Sequence, residues 1–290
     1  MIKSINQVYA LTRPGTAERH LPIVIDSPHS GTTYPFNTGI VAPPEALNTT
    51  WDAFVDELWS GAPGIGAPLL AARFPRAYID PNRAPDDIDD TLLDEPWPTP
   101  LAPSAACKRG MGLIRLNALP GVPMYAGKLS TREIKGRLDQ YYLPYHSVLK
   151  AQLDTAHERF GKVWHINCHS MKSVGNAMNV DNGAVRPDIV VSDRNGTSAS
   201  SEFTEWVARC FDAKGYKVLI NTPYQGGYIV TNYGAPQQGR HSVQVEIKRG
   251  TYMDEKTFEK NEGFDVLQRD INGFLQELAQ YAAQRLEAQA

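Results

Sequence analysis

The stretch LPIVIDSPHSG, residues 21–31, decides the fold. Residues 21–26 form a compact apolar run, and the loop Ser27-Pro28-His29-Ser30-Gly31 follows at once. This reads as a buried strand that ends in a tight turn carrying a histidine. Working outward, the same grammar recurs. Residues 162–168 (KVWHINC) run directly into His169-Ser170, and residues 187–192 (PDIVVS) and 216–221 (YKVLIN) are further strands. Residues 242–248 (SVQVEIK) alternate strictly, with Val243, Val245 and Ile247 on one face and Glu246 on the other. Residues 77–80 make a short strand closed by Pro81.

Helical patterns separate these runs. Residues 50–60 are expected to form a helix capped by Thr49 or Thr50, with Trp51, Phe54 and Leu58 on one face. Ser130-Thr131-Arg132-Glu133 is a capping box, so a helix starts there, is interrupted near Pro144 and runs to about residue 160. Residues 200–214 stop at Gly215. Residues 262–287 close the chain as an amphipathic helix with Leu267, Ile271, Phe274, Leu278 and Ala282 on one stripe. Strands alternating with helices imply one α/β domain over residues 1–290, with a central mixed, mostly parallel sheet covered by helices on both faces. The Asp- and Pro-rich residues 84–103 read as an inserted loop. Its acids Asp86, Asp87, Asp89 and Asp90 lack the calcium-loop pattern and are expected to be solvated.

Composition narrows the function. The 290 residues carry 29 basic and 32 acidic side chains, a net charge of -3, against the basic excess of a nucleic-acid binder. No apolar stretch approaches the roughly 20 residues of a membrane span, and residues 1–15 hold no signal-peptide core. The three cysteines, Cys107, Cys168 and Cys210, show no CxxC spacing, which implies a reducing compartment. The expectation is a cytoplasmic protein with neither nucleic-acid nor membrane partners. Its oligomeric state is open.

In α/β sheets, ligands bind beyond the carboxyl ends of strands. His29, Asn82-Arg83 and His169 all follow expected strands, and Glu246 lies late in another. A single histidine is more often structural, but two at strand ends make metal ligation as good a reading as a structural one. A catalytic zinc site has three protein ligands, and the third could be Asp52, Asp56 or Glu57. Asp52 and Asp56, four apart, would share a helix face; the alternative is a solvated first turn. Glu246 either pairs with Lys248 or Arg249 or serves as an acid/base group. Cys168, on the opposite face from His169, reads as structural. Neither a GxGxxG nor a GxSxG motif is present.

Five motifs then occur in order: Ser27-Pro28-His29-Ser30-Gly31, Ile79-Asp80-Pro81-Asn82-Arg83, Asn167-Cys168-His169-Ser170-Met171, Pro223-Tyr224-Gln225-Gly226-Gly227-Tyr228 and Gln244-Val245-Glu246-Ile247. Together, over residues 21–252, they resemble the N-formylglutamate amidohydrolase family, which is similar in turn to zinc carboxypeptidases and aspartoacylases. The resemblance implies the carboxypeptidase type of mixed sheet and Zn2+, or another divalent metal, held by His29, His169 and an acid. Carboxypeptidases carry that acid three residues after the first histidine, where this chain has Thr32. Asp52, ahead of Asp56, is the substitute. Asn82 and Arg83 resemble a carboxylate-holding pair, and Glu246 resembles the general base.

The implied reaction is hydrolysis of N-formylglutamate, a dicarboxylate, in histidine degradation. Arg83 suits one carboxylate and Arg115 or Arg76 the other, by bidentate pairing. Tyr228 is a candidate pocket wall, or else a turn before a strand. The competing functions are a zinc amidase for another N-acyl amino acid or short peptide, and a non-catalytic binder on the same fold.

Overall fold

The computed structural model describes residues 1–15 and 20–287. The strands in chain order are β1 (Ile2–Ile5), β2 (Tyr9–Arg13), β3 (Ile23–Ser27), β4 (Leu69–Ala72), β5 (Asn117–Leu119), β6 (Val122–Pro123), β7 (Val163–Met171), β8 (Ile189–Ser192), β9 (Val218–Ile220) and β10 (Arg240–Lys248). The α-helices are α1 (Pro44–Asn48), α2 (Val55–Leu58), α3 (Thr131–Arg137), α4 (Leu143–Phe160), α5 (Ser201–Asp212), α6 (Tyr228–Tyr233) and α7 (Gly263–Glu287). Eight strands form one sheet in the order β1-β2-β4-β3-β7-β10-β8-β9, and β5 and β6 form a separate hairpin.

The centre of the sheet is parallel: β4, β3, β7 and β10 all run the same way. β2 joins one side antiparallel, and β8 joins β10 antiparallel on the other. This is the mixed sheet expected from the sequence, with helices on both faces. One face packs Trp164, Ile166 and Cys168 of β7 and Val243, Val245 and Ile247 of β10 against α5 and α7, where Leu267, Ile271, Phe274, Leu278 and Ala282 are fully buried. The other face meets α4 through Tyr145, Leu149 and Leu153.

Alternation sends the intervening residues of these strands to that second face, and they are polar: His165, Asn167 and His169 on β7, and Ser242, Gln244 and Glu246 on β10, all buried. Glu246 lies in register with His169. Such burial requires satisfied partners. Asp26 supplies them, accepting from Tyr145 Oη at 2.7 Å, His165 Nε2 at 2.9 Å and Asn167 Nδ2 at 2.7 Å. Burial pushes the Asp26 carboxyl up, but these three donors outweigh it and hold it below its ordinary value.

The Ser130 capping box forms, its hydroxyl accepting from Glu133 N at 3.1 Å. α3 passes through a π-turn at Leu138–Tyr142 into α4, so the interruption falls just before Pro144. Three expectations are corrected. Residues 77–80 form a turn, and the strand on that stretch of chain is the earlier β4. Pro75 and Pro81 flank the turn and lack donors for a ladder; Ala77 and Ile79 are apolar because they are buried. Residues 50–60 yield only α2, because Phe54 takes a left-handed φ of 61°. Thr49 and Thr50 instead close α1 by donating to Ala46 and Leu47 carbonyls. Asp87 is not solvated: its carboxylate accepts from Ser104 N at 2.6 Å and Ser104 Oγ at 2.9 Å, pinning the inserted loop.

Candidate active site

His29 enters from the loop after β3. That loop runs hard against the backbone, since a Cβ on Gly31 would sit 2.3 Å from the Phe74 carbonyl oxygen. His169 projects from the end of β7. Asp52 is not on a helix; it precedes α2, and its N–H donates to the His29 carbonyl at 3.2 Å. Their side chains converge. His29 Nδ1 is 3.0 Å from His169 Nδ1, and Asp52 Oδ2 is 3.3 Å and 3.2 Å from the two nitrogens. All three residues are buried. Asp56 lies outside this group, its N–H donating to Ser30 Oγ at 3.1 Å.

The far ring nitrogens fix the tautomers. His29 Nε2–H donates to Asp80 Oδ1 at 2.8 Å, and His169 Nε2–H donates to Asn167 Oδ1 at 2.7 Å, a shorter contact than that to the Asn82 amide nitrogen at 3.2 Å. Asn167 cannot flip, because its Nδ2 is bound to Asp26. With both Nε2 atoms protonated, two imidazole lone pairs and one carboxylate oxygen face each other with no proton between them. This donor set fits a divalent cation. Arg249 donates to the other Asp52 oxygen at 2.9 Å, to Ser170 Oγ at 3.0 Å and to the Thr49 carbonyl at 2.9 Å. Burial pushes the Asp52 carboxyl up, but the two imidazoles and Arg249 hold it well below the usual range.

Glu246 pairs with neither cation the sequence offered: Lys248 bonds Asp188 and Arg249 bonds Asp52. Glu246 Oε1 accepts from Gln244 Nε2 at 2.8 Å, and Oε2 has no hydrogen-bond partner among the described residues. Burial raises its pKa, with nearby Asp52 adding to the effect.

A cavity of about 770 Å³ opens over these groups, large enough for a small-molecule substrate. It is lined by Arg76, Asn82, Arg83, Arg115 and Tyr228, among others. Their commitments differ. Arg76 donates twice to Asp80 Oδ2, at 3.0 and 2.6 Å, and so braces the carboxylate behind His29. The Asn82 amide is used within the protein, donating to Gln244 Oε1 at 3.1 Å and accepting from Ile229 N at 2.9 Å. Arg83 donates to the carbonyls of Met111 at 2.8 Å and Asn82 at 3.1 Å. Tyr228 opens α6 rather than a turn before a strand. Arg115 is different: its buried Nε has no partner. Burial, then repulsion from Arg76, lowers its pKa to about 9, so it remains charged at neutral pH.

Sequence reasoning missed Asp80, Asn167 and Arg249 as supports of the cluster. Asp80 stood in a motif, beside the Asn82-Arg83 pair that drew attention. Asn167 carried a signal in alternation, since it shares a face with His169.

A sheet whose strand ends gather a raised-pKa carboxylate, a His–Asp–His cluster and an unpaired guanidinium is the layout of an α/β amidohydrolase. Residues 21–253 match the family model described as N-formylglutamate amidohydrolase. The chain is 31% identical over 240 residues to an N-formylglutamate deformylase of Pseudomonas putida, covering 81% of this chain and 83% of the relative. A second deformylase, from Pseudomonas aeruginosa, is 30% identical, covering 81% of this chain and 84% of its own length. The crystal structure of an N-formylglutamate amidohydrolase from Ralstonia eutropha superposes with a TM-score of 0.90 at 42% identity, covering 96% of this chain and 99% of that one. A gene product of Agrobacterium tumefaciens shares the fold, with a TM-score of 0.67 at 20% identity and 97% coverage of both chains. The chain belongs to the N-formylglutamate amidohydrolase family.

Proposed function

We propose that the chain hydrolyses the formamide bond of N-formyl-L-glutamate, giving formate and L-glutamate. The observation that carries this reading is Glu246, buried and unpaired at Oε2, beside His169 of the His29–Asp52–His169 cluster in a cavity that also holds an unneutralised Arg115. The names of the Pseudomonas and Ralstonia relatives support the substrate.

A divalent metal, Zn2+ in the first instance, held by His29 Nδ1, Asp52 Oδ2 and His169 Nδ1, supplies Lewis-acid polarisation of the formyl carbonyl when bound. Glu246 takes a proton from the attacking water as the oxygen–carbon bond forms. It then returns the proton to the leaving nitrogen as the carbon–nitrogen bond breaks. Gln244 holds Oε1 and so aims Oε2 at the water. Arg115, with the free edges of Arg76 and Arg83, receives substrate carboxylates. We assign the step to histidine degradation in the cytoplasm, a compartment that the three free, buried cysteines suit.

The test is formate release by purified protein, with metal analysis of the same sample. Formate from N-formylglutamate, with about one divalent ion per chain, is the expected result. Turnover of N-acetylglutamate or N-succinylglutamate alone would overturn the formyl assignment. Loss of the bound ion in His29→Ala is expected if the cluster is the metal site.

A further inference from the structure

The pocket cations fall into three groups once their acceptors are counted. Arg76, Arg186 and Arg249 bond Asp80, Asp181 and Asp52. Arg109 and Arg194 rest on backbone carbonyls, and Arg83 on the Met111 carbonyl with the Asp87 carboxylate at 3.9 Å. Two are left over among the described residues that line the cavity: Arg115, whose Nε is buried without a partner, and the half-buried Lys172, whose ammonium makes no hydrogen bond or ion pair. A buried guanidinium without an acceptor costs free energy unless a ligand completes it, and the half-buried Lys172 ammonium bears a smaller part of that cost. The proposed substrate brings two carboxylates.

Position separates the two. Arg115 lies at the imidazole end, close enough to feel Asp80 and Asp52. Lys172 follows the last residue of β7, three positions beyond His169. At about 3.3 Å per residue its Cα stands roughly 10 Å further along the strand line than that of His169. Its backbone is anchored, because Arg186 Nη1 donates to the Lys172 carbonyl at 3.1 Å. The nearby acid Glu255 is engaged elsewhere, accepting from Ser173 N at 2.9 Å. Burial, then Arg249 and Arg115, lowers the Lys172 pKa to about 8, which leaves it protonated at neutral pH and relieved by an arriving anion.

We infer that Lys172 is the specificity-determining residue for the substrate's side-chain carboxylate, while Arg115 holds the carboxylate next to the scissile amide. This rests on the deformylase reading of the same site. It makes the cavity selective for N-acyl amino acids whose side chain ends in an anion.

N-formylglutamate and N-formylglutamine, an isostere in which only the side-chain carboxylate is neutralised, provide the test. In Lys172→Met, the ratio of kcat/KM for the diacid over the amide should fall roughly tenfold to hundredfold, the loss of one charge-assisted hydrogen bond. The loss should lie mainly in KM, and Lys172→Arg should restore most of the ratio. An unchanged ratio, or an equal fall for both substrates, overturns the assignment. Calorimetric titration with glutarate and butyrate reads the same subsite without turnover. Glutarate binding should weaken in Lys172→Met by a similar factor, and glutarate affinity equal to wild type refutes the subsite. If wild-type protein releases no formate from either formyl compound, the deformylase reading fails, and the glutarate titration still decides the role of Lys172.

Discussion

Glu246 shows how surroundings can fit one side chain for the proposed role of base. It sits on a strand whose other face is apolar core, so it is buried by the sheet itself, and burial raises its pKa. Only the ionised form accepts a proton from water. Turnover therefore falls as pH drops through this raised value, and the acid limb of kcat/KM should lie above the ordinary glutamate range. Glu246→Gln keeps the shape and removes the base. It should retain bound metal and lose roughly 10²–10⁴-fold in kcat; formate release within a fewfold of wild type would refute the role. Asp80 works one step back. It fixes the His29 tautomer, so Asp80→Asn should weaken metal affinity by about 10–100-fold, measured by competition with a chelator.

At the scale of elements, α4 carries a pH-dependent contribution to stability. His146 Nε2–H donates to the Pro81 carbonyl at 2.9 Å, and Nδ1 accepts from Tyr233 Oη at 2.8 Å. Burial lowers its pKa from 6.5 to about 4. Above pH 6.5 neither the folded nor the unfolded state is protonated there. Below it, the unfolded chain binds a proton that the folded chain refuses until about pH 4. Stability should therefore fall with acidification by about 2 kcal/mol at pH 5, and His146→Gln should flatten that slope in thermal melts between pH 7 and 5.

The sequence was most legible where period and burial coincide. β3, β7, β10 and α7 repeat cleanly, and His29, His169 and Glu246 follow from their strands. It was least legible where tertiary contacts override local pattern. Val55–Leu58 is one helical turn because Phe54 adopts a left-handed backbone conformation, which no propensity signals. β4 hid in LLAA, a run with no alternation because it is buried on both faces. The partners of Arg76 and Asn82 depend on which loops meet, and spacing does not encode that.

For the whole molecule, the net charge of -3 conceals a segregated distribution. Among described residues, the cavity gathers most of its charge as guanidinium and ammonium groups, while Asp52 faces the imidazoles and Asp80 stands behind His29. Such a funnel draws anions and is screened by salt over about 8–10 Å. KM for N-formylglutamate should rise severalfold between low salt and about 0.5 M salt, and that for N-formylglutamine should rise less. Equal salt dependence for both would argue against a cationic binding wall. No helix among the described residues is long and apolar enough to cross a membrane.

The pairing of Glu246 with His169 has a wider meaning. β7 and β10 are locked together from Arg240↔Val163 to Lys248↔Met171. The gap between the proton acceptor and the imidazole is thus a repeat distance of the hydrogen-bond ladder. It can change only in jumps of two residues, about 6.6 Å, because a single step would turn every side chain to the wrong face. Substitution can alter the chemistry at either end of that gap, but the ruler between them is the sheet, and it has no intermediate marks.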